Sequence, residues 1–501
     1  MMPRAVFRNV LPLGIGLAVW SGLLGGAAYG ADDPVTAAMK LYEKRRYEQA
    51  GRLLEDARFD GERGAQAQLV LGMIYLRSAD LHEAFARTAA AAQLDYLDKL
   101  AKAGGEARSR YARLYLAEAL LARGNAREAA QHFERVRADA GVDGHYRSLA
   151  GIGLGAALWA QGDTARARKL WSGTQQDAVE IRLARVAAQG RAGVLDSKAL
   201  QRVAEDARDT KDPSPRARRY LVEIYLAAGA PDQALAVVRA ADLGAASYVE
   251  RFKTAEGTAK TLAFYDLALL TDLAQLYREL ARRRLELAAA DVRTKPTAEY
   301  YLAEALSGLG ENDRAAESAQ AFLARPQAPA QYQERARARL ALIGYRQGRQ
   351  QDAERAWTSM AEKSSDPEVL AALVLGCADA QAPCTKVLAR ADKAAEAGDI
   401  RRIQRLGFAL GTYYLRKQDY ARAIAYMESG RDKSNKNKIE ANDPEMLAAL
   451  AEAYYRTKKF SEGLEIFFEI SQEFAVVRQI QEAMQAVYSM EQRSAGDVRI
   501  L

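Results

Sequence analysis

Apolar residues recur at helical spacing in 17-residue segments that share one pattern. In the three clearest segments a small residue comes first, glycine follows seven residues later (position seven), alanine twelve residues later and a large aromatic residue sixteen residues later. The pattern fits residues 117–133, 155–171 and 341–357 without a gap. Six further segments fit the same frame: residues 38–54, 72–88, 222–238, 303–319, 411–427 and 451–467. A fixed pattern repeated down a chain indicates stacked supersecondary units.

Each position of the frame has a physical role in a pair of helices. A small opening residue such as Gly155 permits two helices to cross closely, where a larger side chain would clash. Glycine at position seven, as at Gly162, is suited to end the first helix in a left-handed conformation. The aromatic residue at sixteen, such as Trp171, then fills the space between successive pairs. The frame therefore predicts a helix-turn-helix in every segment.

The pattern resembles the tetratricopeptide repeat, a helix-turn-helix of about 34 residues. The sequence therefore predicts an all-α fold, an α-solenoid of about nine recognisable repeats. Three long gaps in the frame leave room for further pairs at residues 179–210, 262–292 and 368–397, which raises the expected number to twelve. No stretch alternates with period two for long enough to predict a sheet.

The repeats and the gaps between them suggest a division of the chain. It comprises a signal peptide, an N-terminal array, a degenerate helical middle, a C-terminal array, and a capping helix with a tail: residues 1–30, 31–210, 211–298, 299–475 and 476–501. Between the two last confident repeats, residues 429–443 are polar and predict a loop.

The first thirty residues have the features of a secretory signal. Arg4 and Arg8 provide a basic start, residues 10–24 are apolar, and small residues precede Ala31. This arrangement predicts cleavage before Ala31 and a periplasmic protein. The alternative is an uncleaved segment that anchors the protein to the inner membrane, since no charge occurs over a length that spans a bilayer.

The two cysteines, Cys377 and Cys384, lie seven residues apart between two predicted helices. In an oxidising compartment they are expected to form a disulfide that closes the turn of one helix pair. Closure of so short a loop stabilises by about 2 kcal/mol. A redox-active pair is the alternative, although the spacing is not CxxC.

Candidate catalytic groups are scarce. The three histidines, His82, His132 and His145, form no HExxH motif, and no GxSxG occurs. Gly151, Gly153 and Gly155 follow no predicted strand and precede no lysine-serine or lysine-threonine pair, so they do not predict a nucleotide loop. The sequence therefore predicts a protein without enzymatic activity, cofactor or metal.

The resemblance implies that the first helix of each pair lines a concave face that binds extended peptides or helices. Mapped onto this sequence, the face would contain aromatic anchors and scattered charges. Its candidate partner-binding residues are Tyr111, Leu114, Glu118, Trp159, Tyr300, Glu304, Arg335, Tyr345, Arg405, Phe408 and Tyr455. The alternative is that these aromatic side chains pack between neighbouring first helices.

The formal net charge of +7 is modest for 501 residues. Arginines cluster in the middle of the chain, at Arg216, Arg218, Arg219, Arg278, Arg282, Arg283 and Arg284. They predict either a patch for an acidic polymer or solvated helix faces paired with Glu279 and Glu286. The leading hypothesis is a periplasmic scaffold or adaptor that binds envelope proteins or peptides, in envelope assembly, export or transport. The alternative is a carrier or accessory subunit for an anionic polymer such as an exopolysaccharide; nucleic acid is not an expected partner.

Overall fold

A computed structural model describes most of the chain. The described residues are 33–102, 107–174, 178–208, 214–241, 248–253, 257, 259–264, 267–326, 328, 330–396, 400–431, 442–471, 481, 484–485 and 488–489. The predicted signal peptide lies outside them, as do residues 432–441 of the predicted loop and most of the predicted capping helix. Among the described residues, no helix is long and apolar enough to cross a membrane.

In the part of the chain that the structure describes, the fold is all-α apart from one β-hairpin. The helices before the hairpin are α1 Pro34–Glu43, α2 Tyr47–Glu55, α3 Gly61–Lys102, α4 Ala107–Ala122, α5 Ala126–Ala138, α6 Gly144–Ala160, α7 Thr164–Ser172, α8 Val179–Arg191, α9 Ser197–Arg208, α10 Pro215–Ala227 and α11 Pro231–Ala241. The hairpin consists of β1 Tyr248–Lys253 and β2 Ala259–Phe264. The helices after it are α12 Leu267–Ala288, α13 Lys295–Gly308, α14 Asn312–Leu323, α15 Ala330–Arg346, α16 Gln350–Lys363, α17 Pro367–Ala380, α18 Thr385–Glu396, α19 Ile400–Arg416, α20 Tyr420–Gly430, α21 Pro444–Arg456 and α22 Phe460–Ser471.

The chain forms two compact units, each built from two separate stretches. The first unit comprises Met1–Ser78 and Arg278–Met446, and the second comprises Ala79–Tyr277 and Leu447–Leu501. In the second unit the stretches meet where Thr88 Oγ1 donates to the carbonyl oxygen of Ala448 at 3.1 Å. Neither unit therefore corresponds to one continuous segment of the sequence.

Within the described residues the helices form ten helix-turn-helix pairs, which agrees with the nine to twelve repeats predicted. Eight of the nine framed segments are pairs: α1/α2, α4/α5, α6/α7, α10/α11, α13/α14, α15/α16, α19/α20 and α21/α22. Two of the three gaps, residues 179–210 and 368–397, contain the remaining pairs, α8/α9 and α17/α18. An α-solenoid of paired helices is thus the fold class of this chain.

The backbone conformation at position seven of the frame distinguishes the framed segments that form helix pairs from the one that does not. In all eight framed pairs this residue has a positive φ, with values of 80° at Gly124 and 89° at Gly162. Three pairs have no glycine there and still turn left-handed, at Arg45 (61°), Gln418 (61°) and Lys458 (60°). The left-handed residue is therefore what ends the first helix, and glycine is only its least strained occupant.

The ninth framed segment, residues 72–88, was predicted wrongly. It lies inside α3, a continuous helix of 42 residues, so no turn occurs at its position seven. The small residue that opens this segment, Gly72, packs against Leu285 of α12, and a Cβ atom there would come within 2.6 Å of that side chain. Gly72 thus serves close helix packing, as the frame predicts, but with a distant helix instead of its own partner.

The close crossing predicted inside a pair is confirmed at α6/α7. A Cβ atom at Gly155 would lie 2.5 Å from Nε1 of Trp171. The indole of Trp171 is fully buried, and its Nε1 donates to the carbonyl oxygen of Ile152 at 3.2 Å. Gly153 faces the ring of Phe133 in the preceding pair in the same way. These glycines therefore serve packing between helices.

The third gap, residues 262–292, differs from the prediction. Instead of a helix pair it contains the end of β2 and the single helix α12. β1 and β2 pair antiparallel, with Glu250 opposite Leu262 and Phe252 opposite Lys260. The expectation of no sheet is thus wrong for this one hairpin, whose short strands leave too few positions to establish a period of two.

The disulfide between Cys377 and Cys384 is present, as predicted. It joins the last turn of α17 to the residue before α18. Between the cysteines, Gln381 is left-handed with φ of 53°. The covalent link therefore closes the turn of a pair that has no glycine at this point.

We expect Gly162→Ala to lower the free energy of unfolding by about 1 kcal/mol, because alanine is strained in the left-handed region. Gln418→Gly should raise the free energy by about 0.5 kcal/mol, because glycine removes that strain. Gly162 and Gln418 are both exposed, so no packing change accompanies either substitution. Urea unfolding followed by circular dichroism measures both effects. Equal signs for the two variants would contradict the role assigned to position seven.

Replacing both cysteines, as Cys377→Ala with Cys384→Ala, should lower the free energy of unfolding by about 2 kcal/mol, since the link no longer restricts the unfolded chain. Urea unfolding of wild type with and without reductant provides the matched comparison. Reduced wild type should behave as the double variant does. An oxidised wild type no more stable than the reduced protein would refute this contribution.

Candidate functional site

The first helix of each pair presents charged and aromatic side chains that meet those of the next first helix. Four successive first helices of the first unit are α13, α15, α17 and α19, and four of the second unit are α4, α6, α8 and α10. Most of the candidate partner-binding residues lie on them.

In the first unit, ion pairs connect α3 and the four first helices. We call this set the charge ladder; its members are Arg77, Glu304, Arg339, Arg335, Glu368 and Arg405. Glu304 of α13 lies 2.9 Å from Arg339 of α15 and 3.7 Å from Arg77. Glu368 of α17 lies 2.9 Å from Arg335 of α15 and 3.3 Å from Arg405 of α19. The structure thus brings together Glu304, Arg335 and Arg405, three of the predicted residues.

Tyrosines border the charge ladder. Tyr300 packs its ring 4.6 Å from that of Tyr332, and the Arg339 guanidinium lies 5.5 Å above the Tyr300 ring. Such a contact favours a cation, because the face of the ring carries partial negative charge. Tyr300 itself is buried, so its role here is to hold Arg339 in place.

The electrostatics of the ladder centre on Glu304. Burial opposes its ionisation, but the positive charges of Arg339 and Arg77 outweigh burial and hold the pKa of Glu304 below its usual range. The carboxylate is therefore ionised at neutral pH and fixes two arginines on the first-helix face.

In the second unit, the candidate Glu118 of α4 accepts a hydrogen bond from Arg216 Nη1 of α10 at 3.0 Å. Arg216 also lies 3.9 Å from Glu180 of α8, whose carboxylate contacts His145 Nε2 at 3.2 Å. Burial opposes ionisation of Glu180, but the hydrogen bond from His145, the charge of Arg216 and the hydrogen bond from Ser214 hold its pKa below the usual range.

Arg216 and Arg219 were expected at the surface, and this is wrong. Each is only 3% exposed, because both lie inside the second unit against glutamates and tyrosine rings. Arg282 agrees with the other prediction and pairs with Glu279 and Glu286 at 3.0 Å each. Sequence reasoning missed the buried pairs because Arg216 and Glu118 are 98 residues apart. The only sequence signal for these buried pairs was the presence of a charged residue, such as Arg216, on a helix face that is otherwise apolar.

The candidate Tyr111 of α4 lies in an aromatic cluster with the hairpin. Its ring stacks on Phe252 of β1, with centroids 3.7 Å apart and an angle of 11° between planes. Tyr146 of α6 meets Tyr111 edge-on at 4.9 Å, and its hydroxyl donates to Glu250 Oε2 at 2.8 Å. Burial and the Glu250 carboxylate raise the pKa of Tyr146, so the hydroxyl stays a donor. We call Tyr111 and Tyr146 the tyrosine seat.

The remaining candidates lie apart from these clusters. Leu114 is fully buried. Trp159 packs at a tilt against Trp171, and Tyr345 stacks on Trp357, in each case an aromatic residue of its own second helix. Phe408 of α19 is half-buried, and the Tyr455 hydroxyl donates to Asp95 Oδ2 at 2.8 Å. For these positions a role in partner binding stays a prediction.

Within the described residues, no group of three or more histidine, cysteine, aspartate or glutamate side chains is arranged to hold a metal. A 410 Å³ cavity lies between α18, α19 and α20. Its lining residues are Thr385, Leu388, Ala389, Asp392, Tyr413, Tyr414, Lys417 and Arg422. Asp392 accepts a hydrogen bond from the Tyr426 hydroxyl at 2.7 Å, and this bond links the second helices of two successive pairs, α18 and α20.

Part of the chain matches the model of a known repeat family, and most of the chain is similar to several solved structures. Residues 408–473, which include α20, α21 and α22, match the family model of the tetratricopeptide repeat. A search of curated proteins found no match. Among solved structures, the chain is similar to yeast Tom70 at 12% identity, covering 93% of this chain and 95% of that chain, with a TM-score of 0.31. It is also similar to Ton1535 from Thermococcus onnurineus NA1, at 12% identity, 91% and 99% coverage and a TM-score of 0.21.

A further similarity is to the pentatricopeptide repeat protein PPR10 from maize, at 13% identity over 97% of this chain and 74% of that chain, with a TM-score of 0.24. TM-scores in this range transfer neither the fold nor the function of these proteins to this chain. Residues 408–473 thus match the tetratricopeptide repeat in sequence, and the ten helix pairs share the helix-turn-helix architecture of that segment.

We expect Glu304→Gln to lower the free energy of unfolding by about 2 kcal/mol at neutral pH, because Arg339 and Arg77 lose a counter-charge. Since the folded pKa lies below the unfolded one, the carboxylate stabilises fully above the unfolded pKa, and this stability is lost as pH falls through the folded pKa. The difference from wild type should therefore shrink on acidification. Thermal unfolding across this range, with exposed Glu317→Gln as control, measures it. A difference that does not change with pH would contradict the ionised pair.

Proposed function

We propose that this tetratricopeptide repeat protein is an exported, non-enzymatic scaffold of the bacterial envelope, which binds partner proteins through its first-helix faces. The charge ladder is the observation that carries the proposal. Four consecutive first helices, with α3 beside them, contribute aligned charged side chains to one surface. Repeat arrays use such continuous surfaces to bind extended partners.

The charge of the ladder indicates the partner's chemistry. It contains four arginines and two glutamates, so positive charge remains after internal pairing. Arg405 is the most accessible member, with 51% of its side chain exposed. Arginine binds carboxylates through two parallel hydrogen bonds, which gives both affinity and orientation. An acidic, extended segment of a partner protein is the ligand that fits this surface.

Two observations support export. The basic start, the apolar residues 10–24 and the small residues before Ala31 have the order of a secretory signal. The disulfide between Cys377 and Cys384 suits an oxidising compartment such as the periplasm. Cell fractionation of the full chain, with detection of the mature N-terminus by mass spectrometry, tests both location and cleavage. Recovery from the cytoplasm with the first thirty residues intact would refute export, and recovery from the inner membrane would support the anchored form.

The function is tested by affinity capture from envelope extract at low and at high salt. Defined envelope proteins that remain bound at high salt would support the scaffold. Recovery of acidic polymer alone, lost as salt rises, would instead support a carrier of anionic polysaccharide. The burial of Arg216 and Arg219 removes two of the arginines that could have formed such a polymer site.

We expect Arg405→Glu to weaken binding of the captured acidic partner about 10-fold, because it introduces like charge beside the ligand carboxylates. Arg355→Glu is the matched control. Arg355 lies on the second helix α16 with 77% of its side chain exposed, away from the ladder. Biolayer interferometry with each variant measures the affinity. Equal losses for both variants would mean that only net charge matters and that the ladder is not the binding surface.

A further inference from the structure

The hairpin lies on the first-helix face of the second unit, where a partner would bind. Phe252 is 2% exposed and Tyr111 is 5% exposed, so their stacked rings bury each other. Tyr111 is held from behind, since its hydroxyl oxygen accepts from the backbone N–H of Asp143 at 3.2 Å. The tyrosine seat is therefore a rigid surface, set by the turn between α5 and α6, on which Phe252 rests.

The contacts of β1 alternate as those of a bound strand do. Side chains of successive strand residues point to opposite faces. Glu250 and Phe252 face the tyrosine seat, whereas Arg251 and Lys253 are exposed. The tyrosine seat thus contacts one face of β1, through the carboxylate of Glu250 and the aromatic ring of Phe252 two residues later.

The pairing of the two strands contributes little stability to the hairpin by itself. A two-stranded hairpin is marginally stable in water, so β1 and β2 depend on the surface that they cover. Among the described residues β1 pairs only with β2. Among the described side chains, β1 contacts the tyrosine seat through the Phe252 ring and the Glu250 carboxylate, two groups that another extended segment can also present.

We propose that the tyrosine seat is a binding site for an extended partner segment with an acidic residue followed two positions later by an aromatic one, and that β1 occupies this site as an internal competitor. This inference rests on the proposed function, because it names the chemistry of a partner for one first-helix face. A partner of that chemistry displaces the hairpin. Because β1 occupies the site, the apparent affinity for a partner equals the intrinsic affinity multiplied by the fraction of molecules in which β1 has left the site.

The test uses the full protein and a labelled peptide with the sequence of Tyr248–Lys253, YVERFK, as the probe. Phe252→Ala removes the ring of the internal competitor and should raise the affinity for this peptide about 30-fold over wild type. Arg251→Ala, on the outward face of the same strand, is the matched control and should bind as wild type does. A Phe252→Ala protein that binds no more tightly than the control would overturn the proposal.

The seat is tested by a second substitution in the Phe252→Ala background. Tyr146→Phe removes only the hydroxyl that donates to Glu250 and should lower peptide affinity about 5-fold. Tyr111→Ala should abolish binding of the peptide. Far-ultraviolet circular dichroism and thermal unfolding verify that each variant is folded. Unchanged affinity in a folded Tyr111→Ala protein would place the peptide elsewhere and overturn the assignment.

Hydrogen exchange on wild type gives an independent measurement. Saturating peptide should increase exchange at the amides of Tyr248–Lys253, because the hairpin leaves the seat; protection unchanged on peptide binding would contradict displacement. Arg405→Glu should leave peptide binding unaffected. If envelope capture finds no partner while Phe252→Ala still binds the peptide, the proposed scaffold fails and the seat stands. If envelope capture finds a partner but Phe252→Ala does not bind the peptide, the tyrosine seat is refuted and the proposed scaffold is not.

Discussion

One left-handed residue in each framed pair is the constraint on which the array depends. It reverses the chain within a few residues, so that the second helix can pack back onto the first. All eight framed pairs have a positive φ at this position, from 60° at Lys458 to 90° at Gly348. Where it is missing, at Ala79, the helix continues and the pair does not form. The tight packing of Gly155 on Trp171 is possible only after that reversal.

The repeat frame predicted local structure well because its signals are local. A turn residue and a small residue facing a large one act within a single pair, so eight pairs could be placed without knowledge of the rest. The segment at residues 72–88 failed for the same reason. Its small residue, Gly72, is explained by Leu285, more than two hundred positions away, and the sequence pattern does not reveal which helix a small residue faces. The two-stretch composition of each unit was likewise beyond a local pattern.

The candidate site divides along similar lines. The resemblance to the tetratricopeptide repeat implied that Glu304, Arg335 and Arg405 lie on first-helix faces, and the structure gathers them in one ladder. Periodicity could not show what already occupies such a face. Tyr111 was correctly placed on a first helix, yet its ring is covered by Phe252 of a hairpin that no pattern predicted. Occupancy depends on the path of a distant segment, which is a tertiary property.

The charges on the first-helix faces are better explained by recognition than by stability. Desolvation of an arginine and a glutamate offsets most of their attraction, and well-packed apolar residues often stabilise as much or more. The small–large contacts between paired helices already hold each pair together, as at Gly411, where a Cβ atom would lie 2.5 Å from Met427. Removal of one partner, such as Glu304, destabilises because it leaves Arg339 and Arg77 without a counter-charge, but replacement of the whole set by apolar side chains need not. Fixed, partly paired charges do orient a charged ligand and reject one of the wrong sign. In the second unit the same logic applies to the proposed site, where the Tyr146 hydroxyl meets the Glu250 carboxylate at the position assigned to the acidic residue of the proposed partner.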